Sequence, residues 1–332
     1  MKLKPKTTIS EHFSGLKDPR IERKKLHKLI DIISITLCPK GYRSAYAVIA
    51  GARSWLDIES FGKCKYKWIK SFLELPNGIP SHDTFNRVFS RINPKELEKC
   101  FSNWVKSISA LLPGEQIAID GKTLRRSHDK NIKQKAIVMV SAFSRQRELV
   151  LAQEKVSKKS NEITAVPKLL KVLKLSGAIV SLDAMGCQKK IVNQIIEQKD
   201  DYLITLKNNQ PGLYERVAEL FQLDLSQDKI DLNLSKHTVF KSSHGRTEAR
   251  YYHVLNNVSE IVNKEQKWSE LNSIVRVEYL RKSKKGKTKI ENRYYITSLS
   301  KNAEELAEYI RGHWSVENQL HWVLDVTFGV DD

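Results

Sequence analysis

The sequence predicts a helical amino-terminal part followed by a mixed α/β sheet. Early apolar residues recur at spacings of three and four, which is the pattern of a helix with one apolar face. They are Leu26, Leu29, Ile30, Ile33 and Leu37. After Pro113-Gly114 the pattern changes to short apolar runs. Three of these runs follow one another closely and two more alternate with helices, an order typical of a mixed sheet.

The composition fits a folded, soluble chain that binds a polyanion. The 332 residues include 57 Lys and Arg against 38 Asp and Glu, for a net charge of +19, and 40% are apolar. No apolar run approaches the about 20 residues of a membrane helix, so no membrane partner is expected. The charged start Met1–Lys6 lacks the apolar stretch of a secretory signal. The excess positive charge makes nucleic acid the leading partner.

The cysteines indicate a reducing compartment. The chain has only four, they are scattered, and no C-x-x-C pair occurs; they are Cys38, Cys64, Cys100 and Cys187. This pattern argues against a disulfide framework and against a cysteine zinc site. We therefore expect a cytoplasmic, nucleoid-associated protein.

Two short helices are expected near the end of the helical part. The polar residues Pro80–Asp83 precede the helical segment Thr84–Phe89. Asn93-Pro94 then starts another helix, with asparagine as the cap and proline at the first helical position. The pair is consistent with a DNA-reading helix-turn-helix or with part of an ordinary helical bundle.

Five strands and two helices are expected in the following region. The strands are Ile117–Ile119, Ala136–Phe143, Leu149–Val156, Ala178–Leu182 and Tyr202–Leu206. Short polar links join the first three, as in an antiparallel meander. A helix capped by Ser160-Asn161 precedes the fourth strand and another helix follows it. Asn302 with Glu305 marks the start of a later helix.

A β-rich insertion is expected at about 208–298. Alternating apolar residues on both sides of Arg281–Lys289 predict a hairpin, and that segment holds six basic residues and no acid. It is either a solvated loop or a cationic finger that grips phosphate. The lysines of the tip are Lys282, Lys284, Lys285 and Lys287.

Three acids form a candidate metal site. Asp120 and Asp183 each follow an apolar strand directly, where a buried acid is costly unless it is paired or bound to a metal. Glu317 lies in a helix with apolar residues three and seven positions later, so it is expected to point towards the apolar face. Oxygen ligands suit Mg²⁺ or Mn²⁺. Two such ions can clamp the attacking and leaving oxygens of a phosphodiester.

Two histidines flank Glu317 at intervals of four residues. His313 and His321 could share a helical face with it, but the spacing is not the H-E-x-x-H zinc pattern. We expect one of them to lie close to the carboxylate and the other to pack or to contact DNA. Trp314 and Trp322 are expected in the core.

Basic and amide side chains near the candidate acids are candidate DNA ligands. After Asp120 come Lys122, Arg125 and Arg126. They either hold the scissile strand or balance the carboxylates as surface charge. Lys207, Asn209 and Gln210 end the fifth strand and are expected at the same edge of the sheet.

These residues together resemble the H-repeat-associated family of DDE insertion-sequence transposases. The resemblance rests on motifs that occur in the right order along nearly the whole chain. They are Gly78–Phe85, Ile119–Leu124, Leu182–Gln188, Leu206–Gln210 and His313–Phe328.

The resemblance implies a fold, a triad and a reaction. The fold would be an RNase H-like mixed sheet with a β-rich insertion, occupying residues 113–332, after an all-helical transposase-associated domain at 1–112. The triad would be Asp120, Asp183 and Glu317. The reaction would be Mg²⁺-dependent (or Mn²⁺-dependent) cutting of double-stranded DNA at the element ends and strand transfer into target DNA. By analogy, a homodimer on DNA is expected.

The chain also departs from the family pattern. Pro39–Tyr46 resembles an extra segment, Arg126 stands where the family has a small residue, and Val330 stands at a usually acidic position. The family continues beyond Asp332 with further helices. In the related group, the helix with the glutamate carries a tyrosine, an arginine and a lysine at fixed positions. Here the arginine position holds His313 and the lysine position holds Leu324, so the roles of those residues do not transfer.

Two alternative functions follow from these departures and from the metal site. The first is a catalytically inactive, C-terminally incomplete remnant that still binds DNA. The second is a stand-alone nuclease, which would cut DNA without strand-transfer products.

Overall fold

The structure is a computed structural model. It describes residues 9–37, 54–108, 113–127, 136–156, 161–173, 175–222, 233–243, 246–263, 268–282, 288–322 and 325. The chain divides near residue 110 into two compact units, one within 1–110 and the other within 111–322. The segment Pro39–Tyr46 and Val330 lie outside the described residues. None of the helices in the described ranges is long and apolar enough to cross a bilayer.

The regular elements described in the first unit are helical. They are α1 (Ile9–Phe13), α2 (Leu29–Leu37), α3 (Trp55–Cys64), α4 (Tyr66–Ile69), α5 (His82–Phe89), α6 (Pro94–Ile108) and the 3-10 turn Glu22–Lys24. Ile33 of the predicted apolar face is buried. Leu26 was expected on the same face, but it precedes α2 and is 65% exposed. The expectation for Leu26 was wrong because the helix begins three residues later.

The start of α6 is the predicted one, whereas α5 begins at His82, two residues before the expected start at Thr84. The Asn93 side chain accepts the Lys95 N–H at 3.0 Å, directly before Pro94 begins α6. The Glu59 carboxylate on α3 accepts the His82 N–H at 2.7 Å and contacts the His82 ring at 2.8 Å. Glu59 therefore ties α3 to the start of α5. Whether α5 and α6 read DNA stays a prediction.

The second unit contains a nine-stranded mixed sheet with the order β3-β2-β1-β4-β5-β9-β8-β7-β6. The strands are β1 (Gln116–Leu124), β2 (Ile137–Ser144), β3 (Leu149–Lys155), β4 (Ile179–Leu182), β5 (Asp201–Leu206), β6 (Asn233–Ser243), β7 (Arg246–Asn256), β8 (Ser273–Lys282) and β9 (Thr288–Thr297). The pairs β1–β4 and β4–β5 are parallel, and the remaining neighbours are antiparallel. The predicted five strands and the meander of the first three are confirmed.

The first strand is longer than expected. Ile117–Ile119 was expected to end the strand just before Asp120, but β1 continues through Asp120 to Leu124. The reason is that β2 pairs with β1 beyond the acid, whereas the parallel pairing with β4 stops at Ile119. Asp120 therefore lies inside a strand but at the end of the parallel pair.

The insertion joins the main sheet. Its last strand, β9, pairs with β5, and β6–β9 extend the sheet from there. The region begins with a helix, α9 (Pro211–Leu220), and also contains the short helix α10 (Ser259–Val262). The predicted hairpin is confirmed by the antiparallel pairing of β8 with β9. Its tip, with Lys284, Lys285 and Lys287, and the side chain of Lys282 lie outside the described part of the chain.

Helices pack against both faces of the sheet. They are α7 (Glu162–Leu173), α8 (Lys189–Glu197) and α11 (Ala303–His313). The cap of α11 is the predicted one, since Asn302 and Glu305 exchange side chain to backbone hydrogen bonds. Near its end, Gly312 lies against the fully buried Gln116, and a Cβ there would overlap the Gln116 amide. This glycine allows α11 to approach β1 closely.

Asp200 fixes the start of β4 from the loop before β5. Its Oδ1 accepts the Ala178 N–H at 2.9 Å, and the residue is buried. Burial raises the pKa of the Asp200 carboxyl to about 6, although the hydrogen bond from Ala178 lowers it. The native state therefore binds this proton more tightly than the unfolded chain does. The contribution of Asp200 to stability is greatest below about pH 4 and falls as the pH rises to about 6.

We predict that Asp200→Asn removes this pH dependence. The amide keeps an acceptor for Ala178 and carries no charge. Relative to the unsubstituted chain, the variant gains unfolding free energy between pH 4 and pH 7, by up to about 3 kcal/mol, at 1.36 kcal/mol per pKa unit. Urea unfolding at a series of pH values measures the difference. Parallel stability curves for the two proteins would contradict the prediction.

Candidate active site

Two aspartates lie side by side where the parallel pairing ends. Ile119 on β1 is paired with Leu182 on β4, and the residues that directly follow this pair are Asp120 and Asp183. The Asp120 Oδ1 accepts the Gly121 N–H at 2.8 Å. Asp183 caps the following 3-10 turn, and its Oδ1 accepts the Met185 N–H at 3.0 Å. One oxygen of each carboxylate is thus held by backbone.

Glu317 lies in a π-helical turn, Val316–His321, that follows α11. Hydrogen bonds in a π-helix join residues that are five positions apart, so Val316 and His321 lie near one another on the turn, and both are buried. Glu317 is exposed, and the expectation that it points towards the apolar face was wrong. That expectation assumed an α-helical period, which this segment does not have.

Glu317 nevertheless faces the two aspartates across an open cleft of about 660 Å³. The cleft runs from Asp120 and Asp183 to the end of β5 and to β9. Besides the three acids, its lining includes Lys207, Asn208, Tyr214, Arg293, His313 and Trp314. The three acids predicted from sequence therefore line one cleft. Their catalytic role stays a prediction.

The environment of Asp120 disfavours its charged form. Burial and the nearby carboxylates of Asp183, Glu162 and Glu317 raise the pKa of Asp120 to about 7, against the lowering effect of the Gly121 hydrogen bond. A bound cation would offset this mutual repulsion. The carboxylates of this cleft thus form an electrostatically unfavourable group unless positive charge joins them.

Glu162 is a fourth carboxylate that the sequence analysis did not identify. It is the first residue of α7 and affects the pKa of Asp120, as Glu317 does. Burial and the Asp183 charge raise the pKa of Glu162 itself. The signal for Glu162 in the sequence is weak, because an acid in the first turn of a helix is common.

The two histidines have different environments. The His313 ring contacts the Ser181 Oγ at 3.1 Å, and burial lowers its pKa to about 4, so the ring is neutral. His321 is buried, with its Nδ1 3.7 Å from Asp120 Oδ2. The spacing allowed both histidines to share an α-helical face with Glu317, but α11 ends at His313 and the π-turn follows. His321 is the histidine next to a candidate acid.

The amides after β5 hold the loop that follows Asp183. The Asn209 Nδ2 donates to the Ala184 carbonyl at 2.7 Å, and the Gln210 Nε2 donates to the Cys187 carbonyl at 2.8 Å. Both residues were predicted as DNA ligands, but their amide N–H groups are engaged within the protein. Lys207 is exposed and lines the cleft.

The remaining predicted residues lie around the cleft or on β1. Lys122 is on β1, two residues beyond Asp120, and Arg125 is exposed in the turn after it; the side chain of Arg126 is outside the described part. Trp314 and Trp322 are 42% and 57% exposed, so the expectation that they are core residues was wrong. Trp314 is instead covered on one side by the Arg293 guanidinium, 5.5 Å from the ring centre.

The donor atoms of the cleft fit a hard divalent cation. Asp120, Asp183 and Glu317 on the cleft, and Glu162 near the two aspartates, offer only carboxylate oxygens, the ligands that Mg²⁺ and Mn²⁺ prefer. In the described residues, no three Asp, Glu, His or Cys side chains are already gathered at the distances of ligands to one ion. The acids therefore match the ion in chemistry and charge, and binding requires side-chain movement within the cleft.

Comparison with known families identifies the class. Residues 112–332 match the family described as "Transposase DDE domain", and residues 10–105 match the family described as "DDE_Tnp_1-associated". The chain belongs to the DDE transposase family.

Its relatives define the branch more narrowly. The chain is 40% identical over 330 residues to "H repeat-associated putative transposase YhhI" of Escherichia coli, covering 98% of this chain and 84% of the relative. It is 41% identical to "H repeat-associated putative transposase YbfD", over 77% of this chain and 96% of the relative. "Putative protein YbfL", also from Escherichia coli, is 41% identical over 98% and 84% of the two chains. The resemblance to H-repeat-associated transposases is thereby confirmed.

We predict that Asn209→Ala and Gln210→Ala lower metal-dependent DNA cleavage and leave DNA affinity unchanged. Each change removes a hydrogen bond to the loop behind Asp183, and loss of such a supporting contact typically costs about 10- to 100-fold. Gel-shift titration and a nicking assay measure the two quantities separately. Lys207→Ala is the comparison, since Lys207 is an exposed cation on the cleft and its loss is expected to weaken DNA binding itself. A loss of affinity in the amide variants equal to that of Lys207→Ala would instead support direct DNA contact.

Proposed function

We propose that the protein is an active transposase that cuts DNA at the ends of an insertion sequence and transfers the strand to a target. Asp120, Asp183 and Glu317 are its catalytic acids. The observation that carries this proposal is the position of the three carboxylates: two lie at the end of one parallel strand pair and the third lies across the same cleft. Membership of the DDE transposase family supports it.

The sheet supports an RNase H-like core. Strands β3, β2 and β1 form a meander, and β4 and β5 lie parallel to β1. In the sequence, α7 precedes β4 and α8 lies between β4 and β5. The four strands from β6 to β9 then lie in the chain before the final acid, where the resemblance places the β-rich insertion. The helices up to residue 108 form the associated domain in this proposal.

Asp120, Asp183 and Glu317 would hold Mg²⁺ or Mn²⁺. When bound, the cations would supply activation of water or of a DNA 3′-hydroxyl and stabilisation of the charge that develops at phosphorus. The protein contributes the placement of the acids. A backbone N–H group binds one oxygen of each aspartate. This hydrogen bond fixes the orientation of the carboxylate and therefore the direction of its second oxygen. His321 next to Asp120 would orient that carboxylate.

The cleft offers positive charge for a DNA backbone. Lys207 is exposed at its wall, and Arg293 lies there above Trp314. Lys122, Arg125 and Arg126 follow Asp120 in the chain, and the hairpin of β8 and β9 carries the cationic tip. Together with the net charge of +19 these residues favour double-stranded DNA as the substrate. A homodimer on paired ends remains part of the proposal by analogy.

We predict that Asp120→Asn, Asp183→Asn and Glu317→Gln each abolish metal-dependent cutting. A lost carboxylate removes several kcal/mol of transition-state stabilisation, which corresponds to at least about 100-fold in rate. The assay uses a DNA fragment carrying the element end with its flanking sequence, Mg²⁺ or Mn²⁺, and gel separation of nicked and strand-transfer products. The control is Glu197→Gln, which removes an exposed glutamate of α8.

The outcomes separate the alternatives. Full activity in any of the three variants would contradict the triad. Salt-dependent binding of element ends by the unsubstituted protein, with no cutting, would identify a DNA-binding remnant. Cutting without strand-transfer products would identify a nuclease.

A further inference from the structure

We propose that His313 is a further catalytic residue, and that its Nε2–H group donates a hydrogen bond to a non-bridging oxygen of the scissile phosphate. The proposal rests on the proposed function, because it adds a group to the same reaction. It is carried by a chain of buried hydrogen bonds that orients the His313 ring, and by the opening of that ring onto the cleft of the three acids.

His313 connects the cleft to the strand that carries the second acid. It is the last residue of α11 and lines the cleft together with Asp120, Asp183 and Glu317. Its Nδ1 lies 3.1 Å from the Oγ of Ser181, which is on β4 two positions before Asp183. The Nε2 of the ring has no hydrogen-bond partner among the described residues and is not enclosed by them. One ring nitrogen is therefore anchored to β4, and the other is open to the cleft.

The buried Gln116 fixes the direction of these hydrogen bonds. Its Nε2 lies 2.7 Å from the Tyr309 carbonyl, which can only accept, and 3.0 Å from the Ser181 Oγ. The Gln116 amide therefore donates to the hydroxyl, and the hydroxyl has one hydrogen of its own to donate. Ser181 is fully buried, and the other partner of its hydroxyl within the described ranges is the His313 Nδ1. The hydroxyl hydrogen consequently points to Nδ1.

This direction sets the tautomer of His313. Burial lowers the pKa of the ring to about 4, although the charge of Asp183 and the backbone of Ser181 raise it, so the ring is neutral at pH 7. A neutral imidazole has one N–H group and one bare nitrogen. Because Nδ1 accepts from Ser181, the hydrogen is on Nε2. The cleft thus contains a neutral N–H donor that is oriented from the protein interior.

A neutral donor suits the chemistry of this cleft. Attack on a phosphodiester increases the negative charge on its non-bridging oxygens, and an N–H group already in position stabilises that charge. A cationic side chain beside Asp183 would pair with the carboxylate, whereas a neutral N–H group stays available for the phosphate. A histidine with a purely structural role explains the geometry less well, because Nε2 is then left without a partner at the cleft wall.

The test replaces His313 by two amides of different length. Asparagine places its amide near the position of Nδ1 and can keep the Ser181 contact, whereas glutamine reaches the position of Nε2 and can donate into the cleft. In single-turnover cutting of DNA ends, we expect His313→Asn to be at least about 100-fold slower and His313→Gln to stay within about tenfold of the unsubstituted protein. DNA affinity and Mn²⁺ binding should be unchanged in both variants. The matched control is His237→Asn on β6, which should cut at the normal rate.

A DNA end with a methylphosphonate at the scissile position tests the contact itself. In each diastereomer a methyl group replaces one of the two non-bridging oxygens. Replacing the oxygen that accepts from His313 removes the same hydrogen bond as His313→Asn does. We therefore expect one diastereomer to slow the unsubstituted protein without slowing His313→Asn further. Equal additional slowing of His313→Asn by both diastereomers would overturn the contact.

Nitrogen-15 NMR of the nine histidines gives a readout that does not depend on activity. The His313 signals, identified by their loss in His313→Asn, should show the ring hydrogen on Nε2. A hydrogen on Nδ1, donated to the Ser181 backbone, would overturn the proposal. Unchanged cutting by His313→Asn would also overturn it and would leave the proposed function intact. Absence of metal-dependent cutting by the unsubstituted protein would contradict both.

Discussion

The parallel pairing of β1 with β4 is the constraint on which the site depends. The register ends at Ile119 and Leu182, so the next residues on both strands are forced into neighbouring positions. In this protein both are aspartates. Two carboxylates held side by side, with Glu162 and Glu317 nearby, repel one another, and burial together with this repulsion raises the pKa of Asp120 to about 7. The fold accepts a locally unfavourable charge arrangement that a divalent cation would relieve.

Hydrogen bonds and close packing link the elements that carry the acids. Gln116, buried at the start of β1, donates to the Ser181 Oγ on β4 at 3.0 Å and to the Tyr309 carbonyl on α11 at 2.7 Å. One amide therefore links the two strands of the aspartates to the helix that leads to Glu317. Gly312 lets that helix lie close to the strands. The amides after β5 support the Asp183 loop in a similar way. Most of these contacts are neutral hydrogen bonds, which hold geometry without adding charge near the acids.

Much of the fold could be predicted from the sequence, because the periodicity of apolar residues and the capping of helices depend on residues close together in the chain. The strands β1 to β5, the cap at Asn302 and the hairpin of β8 and β9 followed from such patterns, whereas β6 and β7 were not predicted individually. The extent of β1 did not, since its extra residues are stabilised by pairing with β2 rather than by apolar content. The orientation of Glu317 was missed because a π-turn has no clear sequence signature. Glu162 was missed because its position near the aspartates depends on a contact with Gly121, which lies 41 positions earlier in the chain. The exposure of Trp314 likewise depends on the cleft that the insertion completes.

The position of bound metal tests the central claim most directly. Crystals of the protein grown with Mn²⁺ and a DNA end would be measured at the manganese absorption edge, where anomalous scattering locates the ion. The account predicts an anomalous peak in contact with the carboxylates of both Asp120 and Asp183. Manganese bound only elsewhere on the protein, with these two carboxylates free of it, would contradict the account.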